Sequence, residues 1–226
     1  MADPGEVVRQ IYVRTEPAAY RGLFFNTPWT IAISSRLHGT PFERPLDELL
    51  FEWRLTVSAF QFPYMTVESV ATLSGGDGFS EKPEDSPIRS EAWEYYFGRR
   101  TFALGVSGLM RQTYAALMFA YEHFLLKCYR LKSGNISART SDGDFSKNFS
   151  STMPNTIQHC WSQGEIGRAR KVRNSIAHAG AEAGNVPRAN GFTVVGGILQ
   201  ITPGDVEKLM GHLQKAVDRL CDSVLS

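Results

Sequence analysis

The chain reads as mainly α: a bundle of three or four amphipathic helices with a small β-hairpin, preceded by an N-terminal region of mixed α/β character. Three observations carry this. Apolar residues recur at helical spacing from Leu109 to Cys128 and again from Val206 to Leu220. A β-branched run from Phe192 to Ile201 is split by Gly196-Gly197. Hydrophobic residues make up 42% and charged residues 21% of the 226 positions, an ordinary balance for a folded chain of this length.

The helices are justified in turn. Leu109/Met110, Tyr114, Leu117, Tyr121, Leu125 and Cys128 form a stripe within Glu91 to Lys132, which therefore holds one very long helix or two separated near Gly98, Gly105 or Gly108. A further helical stretch runs from about Pro154 to Ala179, with Gly164 as a candidate break and Gly180 suited to a left-handed cap. The last helix is expected over Pro203 to Leu225, with Thr202 as N-cap, Pro203 in its first position, and Val206, Leu209, Leu213, Val217 and Leu220 facing the core. Amphipathic helices must bury their apolar faces against one another, and a bundle follows.

The first ninety residues carry weaker patterns. Trp29, Ile31 and Ile33 alternate as in a strand, and Val7 to Val13 do so less cleanly. Leu46 to Phe60 fits both periods, and helix is preferred because Pro45, Asp47 and Glu48 suit a helix start. Two stretches, Ser74 to Pro87 and Ser133 to Asn155, are rich in Gly, Ser, Asp and Pro and read as loops. The first marks the expected boundary between residues 1–90, of no assigned function, and a bundle over 91–226. Its Gly75-Gly76-Asp77-Gly78 lacks the Lys-Ser/Thr of a phosphate loop. Asp142-Gly143-Asp144 lacks the other ligands of a calcium loop and reads as a turn.

Net charge is +1, but it is unevenly spread: residues 1–98 hold 8 Lys+Arg against 14 Asp+Glu, and residues 99–226 hold 16 against 9. The basic second part suits a polyanionic partner as well as it suits ordinary solvation. Cys128, Cys160 and Cys221 are odd in number, have no C-x-x-C spacing and fall in helical stretches, which suits buried thiols in a reducing compartment. The N-terminus lacks the order of a signal peptide and no apolar run is long enough to span a membrane, so a cytoplasmic location is expected.

Chemistry concentrates at the end of the third helical stretch, in Arg168-Ala169-Arg170-Lys171-Val172-Arg173-Asn174-Ser175-Ile176-Ala177-His178. At about 100° per residue, Asn174 and His178 share a face, whereas Arg173 lies roughly 140° from His178, a gap that a long guanidinium could bridge. An Arg can hold a phosphate bidentately, a His can move a proton near neutral pH, and an Asn can orient either. No carboxylates or cysteines stand nearby at metal-ligand spacing, so neither metal nor cofactor is expected. Glu122, on the preceding helix, could orient Arg173 or His178. Arg168, Arg170 and Lys171 could track an RNA backbone or form a solvated face. His38, His123, His159 and His212 have no partner pattern and read as structural or exposed.

Arg173-Asn174-x-x-x-His178, with its basic approach and the upstream Tyr121-Glu122-His123-Phe124-Leu125-Leu126-Lys127, resembles the Arg-x(4-6)-His signature of the HEPN superfamily. The helix, polar loop, motif helix, hairpin and closing helix match in order, over roughly 91–226. The resemblance implies a HEPN-like four- to five-helix bundle that dimerises and a metal-independent endoribonuclease of the toxin–antitoxin and phage-defence kind. Arg173 and His178 would then be the active pair, Asn174 the polar second position, and RNA, a second copy and a restraining partner or antitoxin the partners. Gly180 stands where one branch carries a modified tyrosine, so this chain departs from that branch. Cleavage through the 2′-hydroxyl needs one group to accept a proton and another to donate one. Each chain supplies one motif histidine, which is an independent reason to expect a two-fold site.

Overall fold

A computed structural model describes residues 27–73, 100–141, 143–153, 158–178, 180–186, 192–195 and 197–225. They are mainly helical. Helix α1 spans Thr27–Leu37, α2 Glu43–Leu73, α3 Arg100–Ser133, α4 Phe145–Thr152, α5 Gly164–His178 and α6 Pro203–Leu225. A π-helical turn, Gln158–Ser162, precedes α5, and an antiparallel hairpin of β1 (Thr193–Val195) and β2 (Ile198–Gln200) lies between α5 and α6.

The long helix α3 is the axis of the fold, packing against α2, α4, α5 and α6. Its expected stripe is the buried one: Met110, Tyr114, Leu117, Tyr121, Leu125 and Cys128 are all in the core, and the helix runs unbroken through Gly105 and Gly108. Opposite it, Val206, Leu209, Leu213, Val217 and Leu220 of α6 are buried, each side chain contributing about 1.5–3 kcal/mol by leaving water. The start of α6 is fixed by a reciprocal cap. Asp205 accepts from the Thr202 backbone N–H (2.9 Å) and hydroxyl (2.7 Å), and the Asp205 N–H donates back to Thr202 Oγ1 (3.2 Å).

Leu46, Leu49, Trp53 and Val57 of α2 are buried while Phe51 and Leu55 are more than half exposed, so the helical stripe prevails over the alternation. Two expectations are corrected. Trp29, Ile31 and Ile33 do not form a strand. They lie in α1, where Ile33 and Leu37 face the core, Ile31 faces solvent, and Trp29 stacks on Trp53 with centroids 6.3 Å apart. A three-residue alternation was too short to outweigh the Trp29/Ile33/Leu37 spacing of four. The polar stretch 133–155 is not all loop: Phe145 and Phe149, four apart, bury one face of α4 against Tyr129, and Phe145 also meets Trp161. Residues on both sides of the expected boundary near residue 90 share one buried cluster: Ile33, Leu37, Leu46 and Trp53 lie in it with Leu117 and Leu213. Trp29 Nε1 and Arg36 also reach Asp218 on α6. Val7 to Val13, the glycine-rich loop at 74–87 and Asp142 lie outside the described residues.

The third helical stretch breaks where expected, at Gly164, whose φ is +60°. Gly167 is required by the junction: a Cβ there would lie 2.5 Å from the Ser162 carbonyl oxygen of the π-helical turn. After α5 the chain turns through Gly180 (φ +57°) and Ala181 (φ +69°), and the Ala181 N–H closes on the Ser175 carbonyl at 2.9 Å. Leu199 and Ala183 then pair with Ala181 and Gly197, so the hairpin braces the end of α5. Among the described residues no helix is long and apolar enough to cross a membrane.

Candidate functional site

The basic segment of α5 is divided between core and solvent by helical geometry. Val172, Arg173 and Ser175 are buried; Lys171, Asn174 and His178 are exposed. The 140° gap between Arg173 and His178 is therefore a real separation. Arg173 points into the bundle, and its Nη2 pairs with Glu122 Oε1 on α3. His178, at the C-terminal end of α5, forms no hydrogen bond or ion pair with a described residue. The structure thus brings Glu122 and Arg173 together and leaves Asn174 and His178 on the outside of the same helix.

Arg170 does not track the solvent as a backbone-contacting cation would. Its guanidinium carbon sits 3.3 Å from the centroid of the Trp161 ring, Nη1 reaches the Trp161 carbonyl at 3.4 Å, and Nε lies 3.8 Å from Glu122 Oε1. That last distance is within Coulombic reach but too long for a hydrogen bond. The π-helical turn places Trp161 beneath α5, and the ring draws Arg170 inward. Burial lowers the Arg170 pKa from its usual value, Glu122 acts against this, and Arg173 adds to the lowering. Arg168 is exposed but engaged by Glu165 in the first turn of α5, Nε to Oε2 being 3.2 Å. Of the three cations expected to face RNA, Lys171 alone is exposed without a partner among the described residues.

Two guanidiniums and one carboxylate make this cluster a buried excess of one positive charge. Neither Arg170 Nε nor Arg173 Nε has a hydrogen-bond partner, though both are shut off from solvent. The cluster reaches the surface at Phe119, which is 48% exposed and lies 4.7 Å from the Arg173 guanidinium carbon. Phe119 was not singled out from the sequence. Its signal was an aromatic residue off the apolar stripe of α3. An exposed ring beside a cation is a surface on which a nucleobase can stack.

Of the remaining histidines, His123 and His159 are exposed, His38 contacts Glu43 at 2.8 Å, and His212 lies 3.7 Å from Glu165. Tyr121, next to Glu122, is anchored through its hydroxyl to the Cys160 carbonyl at 2.6 Å, which fixes the rotation of α3 relative to the π-helical turn. Among the described residues no group of three or more His, Cys, Asp or Glu is arranged to hold a metal ion. No family model, no curated protein and no solved structure matches this chain.

Proposed function

We propose that the chain is a metal-independent endoribonuclease of the HEPN type, acting on RNA at a site completed by a second copy, in a toxin or phage-defence setting under a restraining partner. The observation that carries this reading is the pairing of Arg173 with Glu122 next to Arg170. It gives a fixed, positively charged cluster on the helix that ends in an exposed His178. In the reaction, one imidazole takes the 2′-hydroxyl proton and the oxygen attacks phosphorus. The P–O5′ bond breaks, and a second imidazole gives the leaving oxygen its proton. The products are a 2′,3′-cyclic phosphate and a 5′-hydroxyl. The positive charge that Glu122 leaves uncompensated in the Arg170–Arg173 cluster acts on the phosphorane through space rather than by contact, Phe119 offers a stacking face, and Lys171 gives a salt-sensitive phosphate contact.

One observation favours a second reading, a non-catalytic binding module. Arg173 faces inward and His178 outward, so the pair does not converge within one chain. The end groups of labelled RNA cleaved in EDTA separate the two. The first reading requires 2′,3′-cyclic phosphate or its opened product. Intact RNA supports the second, and 3′-hydroxyl ends with a magnesium requirement contradict the first. Subunit mixing tests the shared site: with wild type as fraction f beside His178→Ala, activity falling as f squared supports one composite site, and a linear fall contradicts it.

A further inference from the structure

A cavity of about 90 Å³ opens between α5 and α6, lined by residues other than Arg173 and Glu122. Its apolar walls are Ala169 and Leu209, and two aromatic rings meet in it edge to face, Tyr114 and Phe192, with centroids 6.1 Å apart and planes at 76°. Tyr114 is 3% exposed, yet its hydroxyl has no hydrogen-bond partner among the described residues. The hydroxyl therefore keeps both its donor and its acceptor for whatever enters the cavity. Burial, followed by the charge of Asp205, raises the Tyr114 pKa well above the ordinary value, so the group is a neutral phenol that both donates and accepts.

The charge of the rim decides the kind of ligand. Arg168 and Lys208 are balanced by Glu165 and Asp205, and burial together with Lys215, Arg168 and Lys208 lowers the His212 pKa, leaving the imidazole neutral at neutral pH. A balanced rim gives a simple anion no net attraction and sets two carboxylates against it. It does offer acceptors (Glu165, Asp205), donors (Arg168, Lys208) and two groups that do both (Tyr114, His212). Size narrows the choice. A closed cavity of roughly 150 Å³ takes a whole benzene ring, so this open one admits a single ring part-way and has no room for two fused rings.

We propose that the α5–α6 cavity is a binding site for an uncharged, single-ring heteroaromatic group with both donors and acceptors, of the pyrimidine-base type, seated against Phe192 and hydrogen-bonded to the Tyr114 hydroxyl. Such a ring comes from a free nucleoside or from a nucleotide of RNA. The site does not depend on RNA cleavage, and its occupancy is read independently of it.

The test is NMR titration of the full-length isotope-labelled protein with uridine, cytidine, adenosine, benzoate and an oligouridylate. Uridine or cytidine should shift the resonances of Tyr114, Phe192 and His212, and adenosine and benzoate should do so far less. Oligouridylate moving the same resonances at lower concentration assigns the ring to RNA, whereas saturation by the nucleoside alone assigns it to a free compound; both support the class. Tyr114→Phe should keep the melting temperature of the unliganded protein and weaken uridine binding about three- to tenfold, the loss of one neutral hydrogen bond. Phe192→Ala, at a half-buried position, should weaken it by removing the ring contact. The proposal is overturned if millimolar uridine and cytidine leave these resonances unmoved, if adenosine or benzoate binds as well, or if both variants bind uridine like wild type.

Discussion

Replacing Glu122 by Ala removes the one carboxylate that compensates two inward-facing guanidiniums. The Glu122 and Arg173 side chains are 9% and 10% exposed, so water can do little to replace the lost partner. Breaking a buried ion pair from one side costs about 3–5 kcal/mol, and for a chain of this size each kcal/mol is about 2–4 °C of melting temperature. Glu122→Ala should therefore lower the melting temperature by roughly 6–20 °C. Arg173→Met should cost less, because the carboxylate it abandons still has Arg170 Nε at 3.8 Å. The double variant Glu122→Ala/Arg173→Met should be more stable than the sum of its parts, with a coupling of roughly 1–3 kcal/mol. Urea unfolding of all four proteins, with unchanged slopes as a check that the unfolded states are comparable, gives the cycle. Additivity within about 0.5 kcal/mol, or a Glu122→Ala protein as stable as wild type, would refute the view that Glu122 holds this cluster together.

Further outcomes follow from other parts of the fold. Burial pushes the Cys160 thiol up to about 11 and the Cys221 thiol up to about 12, and raises Cys128 well above its usual value, so iodoacetamide at pH 8 should label none of the three in the native protein and all three in urea. Thr202→Ala removes half of the α6 cap and should cost about 0.5–2 kcal/mol in urea unfolding, whereas Thr202→Asn should recover most of it. The pair of Glu48 with Lys127 joins α2 to α3 and, with Arg44, lowers the Glu48 pKa; its contribution should be complete above the unfolded value near 4.5 and fade as pH falls through the lower folded value. Glu48→Gln should flatten that part of the acid-unfolding curve, and an unchanged curve would remove the pair from the balance.

How much of this was legible in the sequence depends on whether the signal was local. The stripes of α3 and α6 and the Thr202-Pro203 start needed only spacing and capping chemistry, and the structure follows them residue for residue. The Gly196-Gly197 hairpin and the break at Gly164 rest on glycine's backbone freedom and were equally readable. Trp29, Ile31 and Ile33 misled because three alternating residues also fit a helix, and the deciding partner, Trp53, lies 24 positions on. Helix α4 was obscured by its Ser, Lys and Asn residues, although the Phe145/Phe149 pair was its sign. At the candidate site, the Glu122–Arg173 contact was among the readings that sequence order allowed. The inward turn of Arg170 was not legible, because it depends on a π-helical turn that sets Trp161 under α5. The α5–α6 cavity was not legible either, since Tyr114, Phe192 and Leu209 meet only through the tertiary fold.

The central claim is that the Arg173–His178 segment cleaves RNA without a metal, and one comparison tests it most directly: labelled RNA incubated in EDTA with wild type and with His178→Ala. Because His178 is exposed and touches no described partner, the variant should match wild type in helicity and melt within about 0.5 kcal/mol of it. The account then requires cleavage by the wild type and none by the variant. Equal cleavage by the two proteins, or none by either, would contradict it.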